Sequence, residues 1–268
     1  MRPALAPLTP GDGSAFCVDD GPVLITEDRD DVAVLRIEHG RVGALDVELL
    51  DALTETVTAS DRAVVITGSG SSFSAGVDLR RILDGGRPYT EELLAALSRT
   101  FRAVFDHPRP TVAAVNGHAI AGGCVLALAC DLRVAAPGIK LGLPEATIGM
   151  GANFGSVVLP KRIPMGIALE MLLTGEYVTS EEAERWGLLN RIVDVDAVLP
   201  TALELAERIA GNAPISVRRM KETAVKGVDL PLWQALRLDV GPNPYLSEDR
   251  REGIAAYLEK RRPEWRGR

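Results

Sequence analysis

Residues 117–133 read GHAIAGGCVLALACDLR, and this stretch predicts a buried helix that begins at a pair of glycines. A helix that is apolar on all sides is buried, whereas glycine inside a helix costs about 1 kcal/mol relative to alanine. Two interpretations of Gly122 and Gly123 are open. The glycines let the helix pack tightly on a sheet, or they let a ligand oxygen approach the unpaired N–H groups at the helix N-terminus.

The composition favours a reduced, cytoplasmic protein. The 268 residues are 46% hydrophobic and carry a net charge of −7. A negative net charge argues against nucleic acid or an anionic membrane surface as the main partner, and no apolar run reaches membrane-spanning length. The three cysteines lack CxxC spacing, which is typical of an intracellular chain without disulfides. The N-terminal segment has no secretory signal pattern.

Strand and helix patterns alternate over the first two thirds of the chain. Strand patterns at 32–38, 63–67, 111–115 and 133–135 are separated by helix patterns at 46–58, 91–105 and 122–130. This alternation with short turns is typical of parallel α/β units. The last third shows helix patterns alone, at 165–174, 180–186, 201–212, 215–226, 231–238 and 248–261. We therefore predict a flexible tail over 1–20, an α/β core over 21–195 and a helical C-terminal region over 196–268.

The segment 62–81, RAVVITGSGSSFSAGVDLRR, joins a buried strand to a Gly/Ser turn. It lacks the GxxxxGK(S/T) of a P-loop, the third glycine of a dinucleotide fingerprint and the GxSxG of a nucleophile elbow. The segment does contain Gly76, whose backbone is conformationally free and which directly precedes Val77, a residue whose N–H would point into a cleft. A tight strand-to-helix turn explains the glycine equally well.

Glu145 is the ionisable side chain in the apolar run 141–150. A carboxylate in such surroundings either finds polar partners or has its pKa raised, and a raised pKa makes it a candidate acid or base. Pro144 followed by Glu145 also suits the first turn of a helix. The histidines at 39, 107 and 118 have no metal-ligand spacing, so we predict no metal site.

Several segments, in this order, resemble the enoyl-CoA hydratase/isomerase (crotonase) superfamily. They are SAGVDL (74–79), VNGHAIAGGCVLALACD (115–131), LPEATIG (143–149), TGEYVTSEEAERWGLLNRIV (174–193) and the closing SEDRREGIAAYLEKRRPEW (247–265). The resemblance implies an α/β fold of the crotonase type, a spiral of ββα repeats with a helical C-terminal trimerisation region. It also implies a homotrimer or a dimer of trimers.

The same resemblance implies an acyl-CoA substrate, with coenzyme A as part of the substrate thioester and no permanently bound cofactor. By position, the N–H groups of Val77 and Gly122 would form an oxyanion hole for the thioester oxygen, and Glu145 would be the catalytic carboxylate. Two preorganised donors stabilise the enolate that forms when a proton is removed beside the thioester. The basic run 260–262 would supply positive charge for a CoA phosphate. The residues implied to bind substrate or CoA are Ala75, Gly76, Asp78, Leu79, Arg80, Gly123, Val125, Tyr257 and Lys260.

One departure from the family pattern decides which reaction we expect. Hydratases of this family carry a further glutamate three residues after the hole-forming glycine, and that position is Val125 here. Isomerases of the family typically keep the later carboxylate alone, which takes a proton from the α carbon and returns one at the γ carbon. We therefore favour double-bond isomerisation of an enoyl-CoA, with slow hydration as the close alternative.

Other chemistries stay open on the same oxyanion hole. An acid from the predicted loop 81–92 would permit decarboxylation, thioester hydrolysis or ring opening, although Asp84, Glu91 and Glu92 are each more typical of a solvated surface. A non-catalytic acyl-CoA binder is a further alternative, against which an apolar site for Glu145 argues, because burying an unused carboxylate is costly. In the turn 150–155, which departs from the family's glycine-rich pattern, Asn153 either enters the pocket or simply forms the turn.

Overall fold

The computed structural model of the chain describes residues 14–18 and 21–268. Its strands, in chain order, are β1 (Ser14–Val18), β2 (Gly21–Arg29), β3 (Val32–Ile37), β4 (Ala44–Leu45), β5 (Ala63–Gly68), β6 (Ser72–Ser74), β7 (Gly76–Val77), β8 (Thr111–Val115), β9 (His118–Ile120), β10 (Leu132–Ala135), β11 (Lys140–Gly142), β12 (Val178–Thr179) and β13 (Arg191–Ile192).

The α-helices follow the same numbering. They are α1 (Val47–Ala59), α2 (Leu79–Phe105), α3 (Gly122–Ala129), α4 (Asn153–Val158), α5 (Met165–Thr174), α6 (Ser180–Arg185), α7 (Val195–Ala210), α8 (Pro214–Gly227), α9 (Leu232–Ala235) and α10 (Glu248–Glu259). No helix in the described part of the chain is long and apolar enough to cross a membrane.

The largest sheet has seven strands in the order β1-β2-β3-β5-β8-β10-β13. β2 is antiparallel to both of its neighbours, β1 and β3, and from β3 onward the neighbouring strands are parallel. β5 and β8 are buried along their whole length, which is why their sequences are continuous apolar runs. The strands predicted at 32–38, 63–67, 111–115 and 133–135 are confirmed as β3, β5, β8 and β10.

The helix patterns are confirmed in α1, α3 and the C-terminal helices. Asp46 caps α1, because its side chain accepts the Leu49 N–H at 2.9 Å. Every residue of α3 is buried, as the apolar sequence after the glycine pair predicts. α7 begins at Val195, six residues before its predicted start, and packs on β5, β8 and β10.

Two predicted segments differ from the structure. Region 81–92 is not a loop, because α2 begins at Leu79 and is interrupted at Gly86, where φ is 58°. Asp78 starts this helix early by accepting the N–H of Arg80 at 2.9 Å. Residues 14–18, predicted as part of the tail, pair with β2 as an edge strand; the remaining predicted tail residues lie outside the described ones.

Two small sheets carry the residues of the candidate site. One has the order β12-β11-β9-β6, and the other pairs β4 with β7 in parallel. Their strands are two or three residues long, which is too short for a period of alternation to be visible in the sequence. They hold the Gly76 turn, the start of α3 and the Glu145 segment beside one another.

Candidate active site

A cavity of about 500 Å³ opens between β7, α2, α3 and the segment that follows β11. This volume lies within the usual range of small-molecule sites. Most of the wall is apolar, with Ser98, Thr147, Asn153, Tyr177 and Glu145 as its polar side chains. The wall includes six of the residues predicted from the sequence: Ala75, Val77, Leu79, Gly122, Val125 and Glu145.

Val77 lies on β7, and its N–H points away from the partner strand. Leu45 of β4 is paired with Val77, and the next amide, that of Asp78, donates to Leu45 O at 3.0 Å. Successive N–H groups of an extended strand point to opposite edges, so the Val77 N–H is directed to the other edge of β7. The start of α3 is the neighbour of this strand, since a Cβ added to Gly122 would lie 3.8 Å from Val77 Cγ1.

Gly76 allows the close approach of β7 to α3. Its φ of +87° is one that L side chains rarely adopt. A Cβ added here would lie 2.8 Å from Ala121 Cβ and 3.0 Å from Gly122 N. A side chain at this position would therefore push apart the two segments that carry the candidate donors.

The backbone before α3 is strained. Ala121 has φ 49° and ψ −123°, a conformation that costs about 1–3 kcal/mol and clusters at functional sites. Its N–H donates to Gly142 O at 2.8 Å, and its carbonyl accepts the Val125 N–H at 3.0 Å. The earlier amides, among them that of Gly122, begin the helix without an intrahelical acceptor. The N–H groups of Val77 and Gly122 are therefore two backbone donors at one wall of the cavity.

The two glycines of α3 have different surroundings. A Cβ added to Gly123 would lie 2.2 Å from Ser74 O, whereas one on Gly122 would meet Leu45 Cδ1 at 3.1 Å. Gly123 therefore packs the helix against β6, and the tight-packing interpretation holds at that position. Gly122 instead belongs to the cavity wall.

Glu145 lies in a short 3-10 helix, Pro144–Ile148, and is 8% exposed. Its Oε2 is buried and has no hydrogen-bond partner. Burial raises the pKa of this carboxyl group, because a charged carboxylate loses hydration there. A buried carboxyl group at a cavity wall, with one oxygen that has no hydrogen-bond partner and a raised pKa, has the properties of a general acid or base.

The candidate second acids lie outside the cavity. Asp84, Glu91 and Glu92 are exposed on α2, and none of them belongs to the wall. Glu91 accepts a hydrogen bond from Arg87 Nε at 2.7 Å. Among the described residues that line the cavity, Glu145 carries the only carboxylate.

This wall does not include Asp78, Arg80, Tyr257 and Lys260, which are among the residues implied to bind substrate or CoA. Asp78 accepts the backbone N–H of Arg81 at 3.2 Å as the cap of α2, and Arg80 is exposed beside it. Tyr257 is 84% exposed on α10, and Lys260 ends that helix with φ 56°. The neighbouring Arg261 is paired with Glu252 and Glu259, so its charge is already partly compensated. CoA binding by Tyr257 and Lys260 stays a prediction.

An aromatic end wall is a part of the site that the sequence did not reveal. The rings of Phe101 and Phe154 have centroids 5.4 Å apart, and Phe105 packs edge-on against Phe154 at 5.9 Å. Phe101 belongs to α2 and Phe154 to α4, and both line the cavity. The available signal was the helical spacing of apolar residues in α2, which indicates a buried face without distinguishing a core from a pocket wall.

A network of charged side chains next to β4 and β7 is a second feature that the sequence did not reveal. Arg81 Nη1 donates to Asp46 Oδ2 and to Glu48 Oε2, both at 2.6 Å. Asp46 is 3% exposed, and His39 Nε2 lies 3.4 Å from its Oδ2. The network joins the starts of α1 and α2 beside the strand pair that carries Val77. Over the described residues, no three His, Cys, Asp or Glu side chains are grouped so as to hold a metal ion.

Comparisons with known proteins agree with one another. The family model described as Enoyl-CoA hydratase/isomerase matches residues 32–268. The (E)-benzylidenesuccinyl-CoA hydratase of Thauera aromatica is 39% identical over 221 residues, covering 77% of this chain and 82% of that protein. The carnitinyl-CoA dehydratase of Proteus mirabilis is 35% identical over 253 residues, covering 90% and 97%. The crystal structure of enoyl-CoA hydratase from Bacillus anthracis superposes with a TM-score of 0.86 at 31% identity, covering 92% of this chain and 100% of that one. The predicted fold, an α/β core with a helical C-terminal region, is thus confirmed.

Proposed function

This chain belongs to the enoyl-CoA hydratase/isomerase family, and we propose that it moves the double bond of an enoyl-CoA thioester with Glu145 as its single base. One observation carries the proposal: Glu145 is the only carboxylate among the described residues of the cavity wall. Val125, at the position where the family's hydratases carry a further glutamate, is 3% exposed and lines the same cavity. A single carboxylate is sufficient for a reaction that returns the proton it removes.

In the proposed reaction, the thioester oxygen of a 3-enoyl-CoA accepts hydrogen bonds from the N–H groups of Val77 and Gly122. The Glu145 carboxylate removes a proton from the α carbon, and the electrons of that C–H bond form the enolate. The carboxyl group then gives the proton to the γ carbon, and the double bond lies between the α and β carbons. Loss of one oxyanion-hole donor typically costs about 10²–10³ in kcat.

The surroundings of Glu145 favour this proton shuttle. The wall around it is largely apolar, and burial raises the pKa of its carboxyl group. A raised pKa makes the Glu145 carboxylate a stronger base in the first step, and the carboxyl group that forms holds the proton until it returns it in the second step. The described wall contains no lysine or arginine, so we expect the acyl group to be uncharged.

Hydration is the second candidate, because the relatives described above are named as a hydratase, a dehydratase and an enoyl-CoA hydratase. One carboxylate can activate a water molecule, but the loss of a further acid or base typically costs about 10²–10⁴ in rate. We therefore expect hydration to be much slower than isomerisation in this chain.

The decisive experiment gives the enzyme 2-enoyl- and 3-enoyl-CoA thioesters of several chain lengths. Isomerisation leaves the product mass unchanged and moves the double bond, hydration adds water, and thioester hydrolysis or decarboxylation releases CoA or carbon dioxide. Isomerisation as the fastest reaction supports the proposal, whereas hydration as the fastest reaction overturns it. Thermal stabilisation by every thioester without turnover would instead support a non-catalytic binder.

Self-assembly is also part of the proposed function. The C-terminal helices and their connections expose large apolar side chains, each more than half exposed: Met220, Leu232, Trp233, Leu236, Leu246 and Leu258. Contiguous exposed apolar surface is typical of an interface. We expect a trimer or a dimer of trimers, and light scattering coupled to gel filtration measures it. A monomer at micromolar concentration would contradict this expectation.

A further inference from the structure

Arg133 is a buried cation at the far end of the helix that begins with Gly122. The residue is 4% exposed. Its Nε donates to Leu188 O at 2.6 Å, and its Nη1 donates to Cys130 O at 2.9 Å and to Ala127 O at 3.4 Å. Ala127 and Cys130 belong to the last turn and the C-cap of α3. The guanidinium thus binds the carbonyl end of that helix.

The surroundings of Arg133 provide little negative charge to compensate it. Among the described residues, no carboxylate forms an ion pair with it, and the acid two residues before it, Asp131, binds Lys221 at 2.7 Å. Burial lowers the pKa of Arg133 to about 10. A buried charge without a counterion is costly, and the partial negative charge of a helix C-terminus offsets part of that cost.

The helix between the Arg133 guanidinium and the Gly122 amide is short and fully buried. α3 has eight residues, and every one of them is buried. Eight residues span about 12 Å, so the guanidinium lies about one helix length from the Gly122 amide. Water does not screen a charge across such a buried segment as it does at the surface.

We propose that Arg133 is a positioning residue that acts through α3, offsetting the negative end of the helix and strengthening the positive end that faces the thioester oxygen. The inference rests on the proposed function, since it requires a thioester oxygen at Gly122. With an effective dielectric constant of about 20, a unit charge at about 12 Å stabilises an enolate enough to change the reaction rate about tenfold. A purely structural role would need the hydrogen bonds of Arg133 but not its charge.

The test separates charge from packing with two substitutions. Arg133→Lys keeps the charge and Arg133→Met removes it, while Arg99→Met, at an exposed arginine paired with Asp51, is the control. The probe is butyryl-CoA carrying ¹³C at the thioester carbonyl, which binds without a double bond to move. Its infrared carbonyl band reports directly how strongly the hole polarises the carbonyl.

We expect the band to move to lower frequency on binding to the wild type, the Lys variant and the Arg99→Met control, and to move less in the Met variant. With an enoyl-CoA, the Met variant is expected to lose about tenfold in kcat at unchanged KM. Equal band positions and equal kcat in the folded Met and Lys variants would overturn the inference.

Two further outcomes are decisive. If Arg133→Met does not fold, Arg133→Gln replaces it, because Gln carries no charge but keeps N–H donors for the carbonyl groups that Arg133 binds. A smaller band shift in that variant supports the inference, and an unchanged shift overturns it. A wild-type enzyme that binds butyryl-CoA without any shift would overturn the proposed oxyanion hole itself, and the role of Arg133 with it.

Discussion

Arg81 Nη1 lies 2.6 Å from Asp46 Oδ2, and this ion pair links two helix starts across 35 residues of sequence. Asp46 directly follows β4 and caps α1. Arg81 lies in the first turn of α2, which directly follows β7 and Asp78. The pair therefore holds the ends of β4 and β7 together and fixes the position of the strand that carries the Val77 amide.

Removing this ion pair is expected to weaken both stability and activity. Arg81→Met leaves the buried Asp46 carboxylate without its guanidinium partner, a loss of about 1–3 kcal/mol in the free energy of unfolding. The side chain of Arg81 is 40% exposed, so solvent reduces the effect toward the lower end of that range. Urea unfolding measures it, with Arg87→Met, which removes an exposed pair with Glu91, as the matched control. Equal stability of the two variants would contradict a supporting role for Asp46 and Arg81.

Glu145→Gln tests the proposed base. Gln has nearly the same size but cannot take a proton, so we expect isomerisation to fall at least about 10²-fold. The melting temperature should stay the same or rise, because Glu145 Oε2 has no partner and burial penalises its charged form. Asp84→Asn, at an exposed acid outside the cavity, should change neither quantity. Full activity in the Gln variant would exclude Glu145 as the base.

The raised pKa of Glu145 predicts a pH dependence of both activity and stability. Burial raises this pKa above its ordinary value of 4.5, and the base form is needed to start the reaction, so the acid limb of kcat/KM should lie above pH 4.5. A pKa raised in the folded state stabilises the protein at low pH, and this contribution is lost as pH rises through the folded-state pKa.

The stability of the wild type should therefore fall relative to Glu145→Gln as pH rises through that pKa. Initial rates and urea unfolding over about pH 4–8 measure both effects. An acid limb at the ordinary glutamate value, together with a constant stability difference, would show that Glu145 is more hydrated than its burial indicates.

Gly76→Ala is expected to push apart the N–H groups of Val77 and Gly122, the two candidate donors. The added Cβ combines an unfavourable φ of +87° with contacts at 2.8 and 3.0 Å, so activity should be lost and stability should fall by about 1–3 kcal/mol. Gly70→Ala is the matched control, because Gly70 has φ +62° but nothing lies within 4 Å of its Cβ position. That variant should show the strain without the loss of activity. Loss of activity in both would point to folding rather than to the hole.

Val125→Glu tests whether the lack of a carboxylate at position 125 makes hydration of an enoyl-CoA slow in this chain. The new carboxyl group would enter the cavity that Glu145 lines, and we expect crotonyl-CoA hydration to rise at least about tenfold, a conservative part of the gain that a further acid or base supplies. Val125→Gln has similar size and polarity but no acid. Product analysis by mass distinguishes the two, and an equal rate in both variants would assign the change to shape alone.

The sequence predicts most of the long elements, though not the first half of α2, and it singles out Glu145, because these features depend on local pattern. α1 and α5 show a helical period together with helix boundary residues, and Glu145 stands out as a carboxylate in an apolar run. The strand pair β4–β7 could not be predicted, because a two-residue strand exists only through its partner. For the same reason, the pairing of Asp46 with Arg81 and the carbonyl contacts of Arg133 have no signature in either segment alone.

The interruption of α2 at Gly86 makes the cavity modular. The segment before the break begins at Leu79, next to Val77 and the Arg81 ion pair, while the segment after it contributes Leu94, Leu97, Ser98 and Phe101 to the cavity wall. Because Gly86 interrupts the helix, we expect substitutions in the second segment to change the cavity wall without moving the Val77 and Gly122 amides of the proposed oxyanion hole. Redesign of chain-length preference should therefore start after Gly86 and leave the residues before it untouched.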